Sequence, residues 1–446
     1  MAVRVLLSDG SGLTAKQTSY LLGRQGHHVE VLAPKGLSLT RFTRYVRAVH
    51  PVAPYGPDPL GWLEELLRVW SAGRFDVLIP TQEQVAVLAL SAVRLAESGV
   101  VTAVPSFDSL AAVQDKVTAF STLDRLGLPQ PAGRIVERAE VLATVAGLPR
   151  FVKLPIGTAS SGVTLVRTRA EAMSLAALLD GRGVFDEGAV LVQAPVAGPL
   201  VMVQSVFERG RLVAFHACRR RGEGMGGGAS HKRSVDLPDV RGHLARLGGS
   251  LGWHGALSAD VIMGRLGPSI IDVNPRLVEP ANAFASGVDL VAALVRLCDP
   301  ASLASGSETR QAPVRGESAV TIGSGADEPA VGRPGTDTHQ LLLAVLGAAC
   351  GGRRRSIAGE LAAAICHRGL YEDSVEELSP MAHDLRAALP VLAASVATLV
   401  VPSTYSWFAA GSVANYALTP AGWATIVAAS LTSRSGSDQE GSGWPR

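Results

Sequence analysis

Ile270-Ile271-Asp272-Val273-Asn274-Pro275-Arg276 is the stretch on which the reading of this chain turns. Strand periodicity places Asp272 and Asn274 on one face. Asp260 lies twelve residues before Asp272 in the preceding apolar run, Gly255–Met263, and antiparallel pairing can set the two carboxylates side by side. Two carboxylates and an amide oxygen around one point make a hard-oxygen site suited to Mg²⁺, with Mn²⁺ as the alternative ion. Arg276 follows one step further along, a planar fork for a carboxylate or phosphoryl group. The bland alternative is a polar strand end with solvated acids.

Working back from this stretch, Lys153 ends the apolar segment Phe151–Lys153 and is followed by Pro155-Ile156-Gly157-Thr158-Ala159-Ser160-Ser161-Gly162-Val163. Gly157, Ser160, Ser161 and Gly162 are small enough for backbone N–H groups to fold over phosphate oxygens. A plain flexible hairpin is the competing reading. Lys116 opens a helical stretch directly after Asp115. Alone, either lysine is usually a solvated surface group; the adjoining loop singles out Lys153. The strand Val190–Gln193 then runs into Ala194-Pro195-Val196-Ala197-Gly198, and such an extended hinge can offer backbone polar groups and apolar side chains to a flat ring. Gln193, Ala194 and Val196 are the residues placed for it.

Short apolar runs alternate with amphipathic stretches before Phe107, as in a parallel α/β unit. Strands are expected at Val3–Leu7, Val29–Ala33, Val77–Pro80 and Val100–Val104, and helices at Ala15–Gln25 and Leu60–Ser71. Sheets of this kind bind ligands at the carboxyl ends of their strands, so Thr81-Gln82-Glu83 line a candidate substrate edge. From Phe107 to Leu128 the pattern is helical. Antiparallel strands follow at Gly133–Val136, Phe151–Lys153, Val163–Arg167, Val190–Gln193, Leu200–Phe207, Arg211–Arg219, Gly255–Met263 and Ser269–Val273, with a hairpin turn at Glu208-Arg209-Gly210. Residues 301–337 shift to Gly, Ser, Ala and Pro, the composition of a linker. Beyond it, Thr338–Cys350, Ser356–Cys366, Met381–Leu399 and Trp407–Leu418 read as helices carrying no catalytic motif.

Bulk properties exclude some classes. Lys+Arg 41 against Asp+Glu 39 leaves a net charge of +2, so no global field recommends nucleic acid. Cys218, Cys298, Cys350 and Cys366 form no CxxC pair, which argues against zinc and a disulfide framework and for a reducing, cytoplasmic setting. Between Ala387 and Ser433 there is no Asp, Glu, Lys or Arg. Its longest apolar piece falls short of the roughly 20 residues of a spanning helix, and Pro390, Pro402 and Pro420 divide it. A buried helical layer is the first reading of 387–433; membrane contact is the second.

Taken in order, these features resemble the ATP-grasp superfamily, in its carboxylate–amine ligase and carbamoyl-phosphate synthase-like branch. The resemblance covers about residues 1–300. It implies a pre-ATP-grasp Rossmann-like α/β domain (1–106), an α+β ATP-grasp domain of two subdomains (107–300), and, after the linker, a mainly helical C-terminal region (338–446). The implied reaction phosphorylates a small-molecule carboxylate with ATP, and an amine or thiol then displaces phosphate. By position, Lys116 and Lys153 would hold ATP phosphates, 157–162 would close over them, and Gln193, Ala194 and Val196 would meet adenine. Asp260, Asp272 and Asn274 would bind Mg²⁺, and Arg276, with Lys153, would serve the chemistry at the carboxylate. Many relatives imply a homodimer. Two departures stand out: both metal acids are Asp where the family usually has Glu, and the acid that holds the ribose is replaced around Gly198-Pro199-Leu200.

Other readings compete. Gly10-Ser11-Gly12-Leu13-Thr14-Ala15 matches the dinucleotide fingerprint of an NAD(P)-dependent oxidoreductase, although Glu30 lies early in its strand where the fingerprint's acid should close it. A non-catalytic nucleotide-binding or membrane-docked protein is the other. Residues 219–233, RRRGEGMGGGASHKR, read as a Gly-rich basic loop that either closes over an anion or is merely solvated.

Overall fold

A computed structural model gives the structure and describes residues 2–158, 161–298, 328–378, 380 and 383–440. Its first sheet is wholly parallel, in the order β3-β2-β1-β4, with β1 Arg4–Leu7, β2 His28–Ala33, β3 Val46–Pro51 and β4 Val77–Ile79. Successive residues feed opposite faces. Val5 and Leu7 join a core with helices Leu13–Arg24 and Leu290–Leu297, while Leu6 joins a second core under helix Pro59–Ala72. Burial on both faces is why these strands read as unbroken apolar runs. The Asp58 carboxylate caps the Pro59–Ala72 helix by accepting from the Gly61 N–H at 2.9 Å.

Two expectations for this sheet need correction. Val100–Val104 is not a strand; it contributes a single bridge, Thr102 to Leu78. The fourth strand is β3, whose partly exposed Val46–Pro51 lacks the apolar run a buried strand shows.

The next helical stretch is broken at Asp115, whose carboxylate accepts from the Thr118 N–H at 2.7 Å and starts a new helix, Lys116–Arg125, after Phe107–Gln114. Strands β5 Gly133–Val136, β6 Arg150–Lys153, β7 Val163–Val166 and β8 Val190–Gln193 form an antiparallel sheet ordered β5-β8-β6-β7.

A larger sheet runs β13-β12-β9-β10-β11-β15-β16, with β14 beside β10. Its members are β9 Leu200–Glu208, β10 Arg211–Glu223, β11 Ala229–Ser234, β12 Gly255–Gly264, β13 Gly267–Asn274, β14 Ala330–Val331, β15 Asp337–His339 and β16 Val375–Glu376. Residues 219–233 therefore form no open basic loop. Arg219 pairs with Arg233 and Arg220 with Lys232 across the β10–β11 hairpin. β14 and the first residue of β15 fall inside the stretch expected to be a linker, while 301–327 lie outside the described residues.

Helix Leu341–Cys350 starts just after β15, and Arg354–Ile365 and Ala388–Val400 pack against it through Leu346, Ile357, Val391 and Ala394. The uncharged segment 387–433 forms the helices Ala388–Val400 and Tyr405–Tyr416 and the start of Pro420–Glu440. Among the described residues no helix is long and apolar enough to cross a membrane. Leu418 and Ile426 are buried in the first domain's core, each worth about 1.5–3 kcal/mol of burial.

Candidate active site

The Asp260 strand and the Asp272 strand pair as the pattern requires: Asp260 opposes Asp272, and Ser258 opposes Asn274. Between Asp260 and Val261 the register jumps from Asp272 to Ile270, leaving Ile271 as the extra residue of a bulge. The bulge changes the alternation. Ile270 and Val273 both enter the core, while Asp272 and Asn274 remain half-buried at a cleft that they line together with Lys116, Gly157 and Arg276. It also frees the Ile271 carbonyl, which accepts from Lys153 Nζ at 2.6 Å.

Burial pushes the Asp260 carboxyl up to about 7, and the neighbouring Asp272 charge adds to the effect. Neither carboxylate takes a hydrogen bond or ion pair among the described residues. Two facing, unneutralised acids are a costly arrangement without a cation. Among the described residues no group of three or more His, Cys, Asp and Glu could hold a metal ion; this pair with the Asn274 amide is the candidate metal site.

Lys153 is nearly buried; burial lowers its pKa, and the Asp272 charge opposes that shift. Lys116 Nζ donates to the Gly157 carbonyl at 2.9 Å, so the helix lysine already touches the small-residue loop. That loop is tight: the Leu154 N–H donates to Gly162 O, and the Thr158 N–H to Ser161 Oγ. A Cβ on Gly157 would lie 2.1 Å from Ser161 O, which explains glycine there. Ser160 lies outside the described residues.

Next to the cleft, Phe120, Leu123, Leu191 and Ile270 line a second hollow with Gln130 and Gln193. The side-chain oxygens of both glutamines are buried without a partner among the described residues. Ala194 and Val196 do not line it. The Ala194 N–H is held by Ala132 O, and Val196 lies against Gly264. The hinge crosses β12 so closely that a Cβ on Gly198 would meet Met263 O at 2.2 Å.

Glu83, on the expected substrate edge, closes the other side of the cleft. It accepts from Thr158 Oγ1 at 2.5 Å and stands 3.9 Å from Arg276. The fingerprint loop is differently engaged. The Asp9 carboxylate accepts from the Ser11 and Gly12 N–H groups, both at 2.9 Å, so donors that a pyrophosphate would need are already spent. Sequence reasoning missed a third cluster: Lys232 pairs with Glu279 at 2.5 Å and Glu377 at 2.7 Å, and Gln340 and Gln17 donate to the same Glu377. No motif marks it, because its members come from five separate segments.

No sequence-family profile matches the chain, and no curated protein does. Solved structures do match. The biotin carboxylase domain of the 2-oxoglutarate carboxylase of Hydrogenobacter thermophilus, in complex with MgADP, ADP and bicarbonate, aligns with a TM-score of 0.53 at 16% identity, over 67% of this chain and 70% of that one. The chain has the ATP-grasp fold. That fold is shared with the L-amino acid ligase of Bacillus licheniformis (TM-score 0.51, 13% identity, 67% of this chain and 74% of that one). The biotin carboxylase of Campylobacter jejuni, solved with an ATP analogue, matches at 0.53 and 16% identity, over 66% and 71%. The shared fold covers about two thirds of the chain, at identities too low to carry a substrate across.

Proposed function

We propose that the chain is an ATP-dependent ligase that activates a carboxylic acid as an acyl phosphate and joins it to an amine or similar nucleophile. One observation carries this reading: Lys116, Asp272, Asn274 and Arg276 line one cleft, with Asp260 opposite Asp272 and Lys153 on the Ile271 carbonyl just behind it. Solved complexes of neighbours with MgADP or an ATP analogue support a nucleotide there.

In this reading the γ-phosphoryl group of ATP passes to a carboxylate oxygen, releasing ADP. The nucleophile then attacks the acyl carbon, and phosphate leaves with the proton balance passed to solvent. Lys116 and Lys153 neutralise the charge that spreads over the phosphoryl oxygens. Asp260, Asp272 and Asn274 would hold Mg²⁺, which supplies further neutralisation of the triphosphate. Arg276 steadies the acid, and residues 157–162 exclude water. Gln130 and Gln193 offer acceptors to the adenine amine. The division at about 106 and 300, and a second copy of the chain as partner, belong to the same proposal.

The test is acid-dependent turnover. With MgATP, hydroxylamine as trapping nucleophile and a panel of carboxylic acids, ADP should appear together with a hydroxamate identified by mass spectrometry. ADP release indifferent to every acid would sink the ligase reading.

A further inference from the structure

The ligase reading gives Glu83 no task, although three parts of the chain meet on its carboxylate. Glu83 lies just beyond β4 of the first domain and is buried. One oxygen, Oε1, accepts from Thr158 Oγ1 at 2.5 Å and faces the Arg276 guanidinium at 3.9 Å. The other, Oε2, accepts from the Leu418 N–H at 2.7 Å. A single side chain thus joins the small-residue loop, the Arg276 side of the cleft and the C-terminal region.

Glu83 has little freedom to leave, because the segment that holds it is itself seated on the first domain. The Tyr55 N–H donates to Asn415 O at 3.1 Å, and Thr419 Oγ1 donates to Gly56 O at 2.7 Å. A Cβ on Gly56 would lie 2.0 Å from Ala417 O, so the seat needs bare backbone there. The Leu418 side chain is buried in the first domain's core. Its N–H is therefore fixed, and the carboxylate with it.

Thr158, at the other end of the link, is buried and belongs to the loop's turn. The Ser161 N–H donates to Thr158 O at 3.0 Å, and the Thr158 N–H donates to Ser161 Oγ at 2.9 Å. Gly157, beside it, lines the cleft, and its carbonyl accepts from Lys116 Nζ. Two charged side chains from different elements, Glu83 and Lys116, thus hold the same end of the loop. A segment ordered on folding costs a ligand less to bind against than one that must be ordered at that moment.

We infer that Glu83 is a positioning residue: anchored by the C-terminal region, its carboxylate holds Thr158, and through it the start of the small-residue loop, in place for the nucleotide. The inference rests on the ligase reading of the cleft. It gives the C-terminal region a part in nucleotide binding, exerted through Glu83.

Thr158→Val keeps the side chain's shape and removes its hydroxyl. Calorimetric titration of the full chain should show MgADP bound roughly 10-fold more weakly, the worth of one hydrogen bond to a charged group, with the cooperative melting transition kept. Thr158→Ser, which retains a hydroxyl, should restore the affinity. A direct bond from that hydroxyl to phosphate would give the same two results, so the deciding variant adds Thr158→Val to Glu83→Ala. With Glu83 already gone, the second change should cost no further affinity. Should Glu83→Ala fail to fold, hydrogen exchange decides: without nucleotide, the Thr158 and Ser161 amides should exchange at least ~10-fold faster in Thr158→Val. Unchanged or tighter MgADP binding in Thr158→Val, additive losses in the double variant, or unchanged exchange would overturn the inference alone. Failure of the unaltered chain to bind MgADP would remove the ligase reading, and this inference with it.

Discussion

Two clusters of opposite charge lie in this molecule, and they are built to different ends. Around Lys232 every charged group has a partner: its ammonium meets two carboxylates, one of which also accepts from Gln17, Gln340 and Thr338. Burial acts to depress the Lys232 pKa, yet the Glu279 and Glu377 charges outweigh it and hold the ammonium above the ordinary lysine value. At the cleft the two aspartates and the two lysines form no ion pair among the described residues. Asp260 and Asp272 oppose one another across a strand pair, and Lys116 and Lys153 hold only backbone carbonyls. The closed cluster ties the first domain, the large sheet and the C-terminal region together. In the proposed reading the open cluster is the binding site, since unpaired charge in a half-buried cleft is costly unless a ligand completes it.

The sharpest way to break this contrast is to neutralise one member of each cluster. Asp272→Asn removes one of the two facing charges, so the fold should survive while acid-dependent ADP release falls by about 10³-fold or more. Turnover near that of the unaltered chain would mean that the acids hold no metal. Lys232→Met should do the opposite kind of damage. Stranding Glu279 and Glu377 in the interior should cost about 4 kcal/mol of stability, read as a lowered urea midpoint. An unchanged midpoint would show that the network is not structural.

A smaller effect comes from pH. His216, beside the closed cluster, is fully buried and bonded to Asn282 and Ser286. Burial lowers its pKa from 6.5 to about 4. The unfolded chain takes up a proton near 6.5 that the folded chain refuses, so this contribution is whole above 6.5 and drains away as pH falls towards 4. At most about 3 kcal/mol is lost, and His216→Gln should flatten part of that slope in urea melts. A midpoint equally pH-dependent in the variant would assign the acid sensitivity elsewhere.

How far the sequence carried these conclusions differs between the clusters for a physical reason. The open cluster was legible because most of its members sit on or beside short apolar strand runs next to a small-residue loop, local patterns that survive in one dimension. The bulge at Ile271 was not, yet it is what frees a carbonyl for Lys153. The closed cluster was invisible, since Lys232 sits in a stretch whose glycines and basic residues look like a loop although β11 buries it. Helix Pro420–Glu440 was missed because Pro420 reads as a breaker, whereas at a helix's first turn its missing N–H costs nothing.

The central claim is that the unspent charges of the cleft converge on one magnesium-bound nucleotide. Calorimetric titration of ADP into the full chain, with Mg²⁺ and then with EDTA, measures this directly. One nucleotide per chain is expected, with affinity at least ~10-fold weaker in EDTA or in Asp272→Asn at an unchanged melting temperature. The same affinity with and without the metal, or no binding in either condition, would contradict the account.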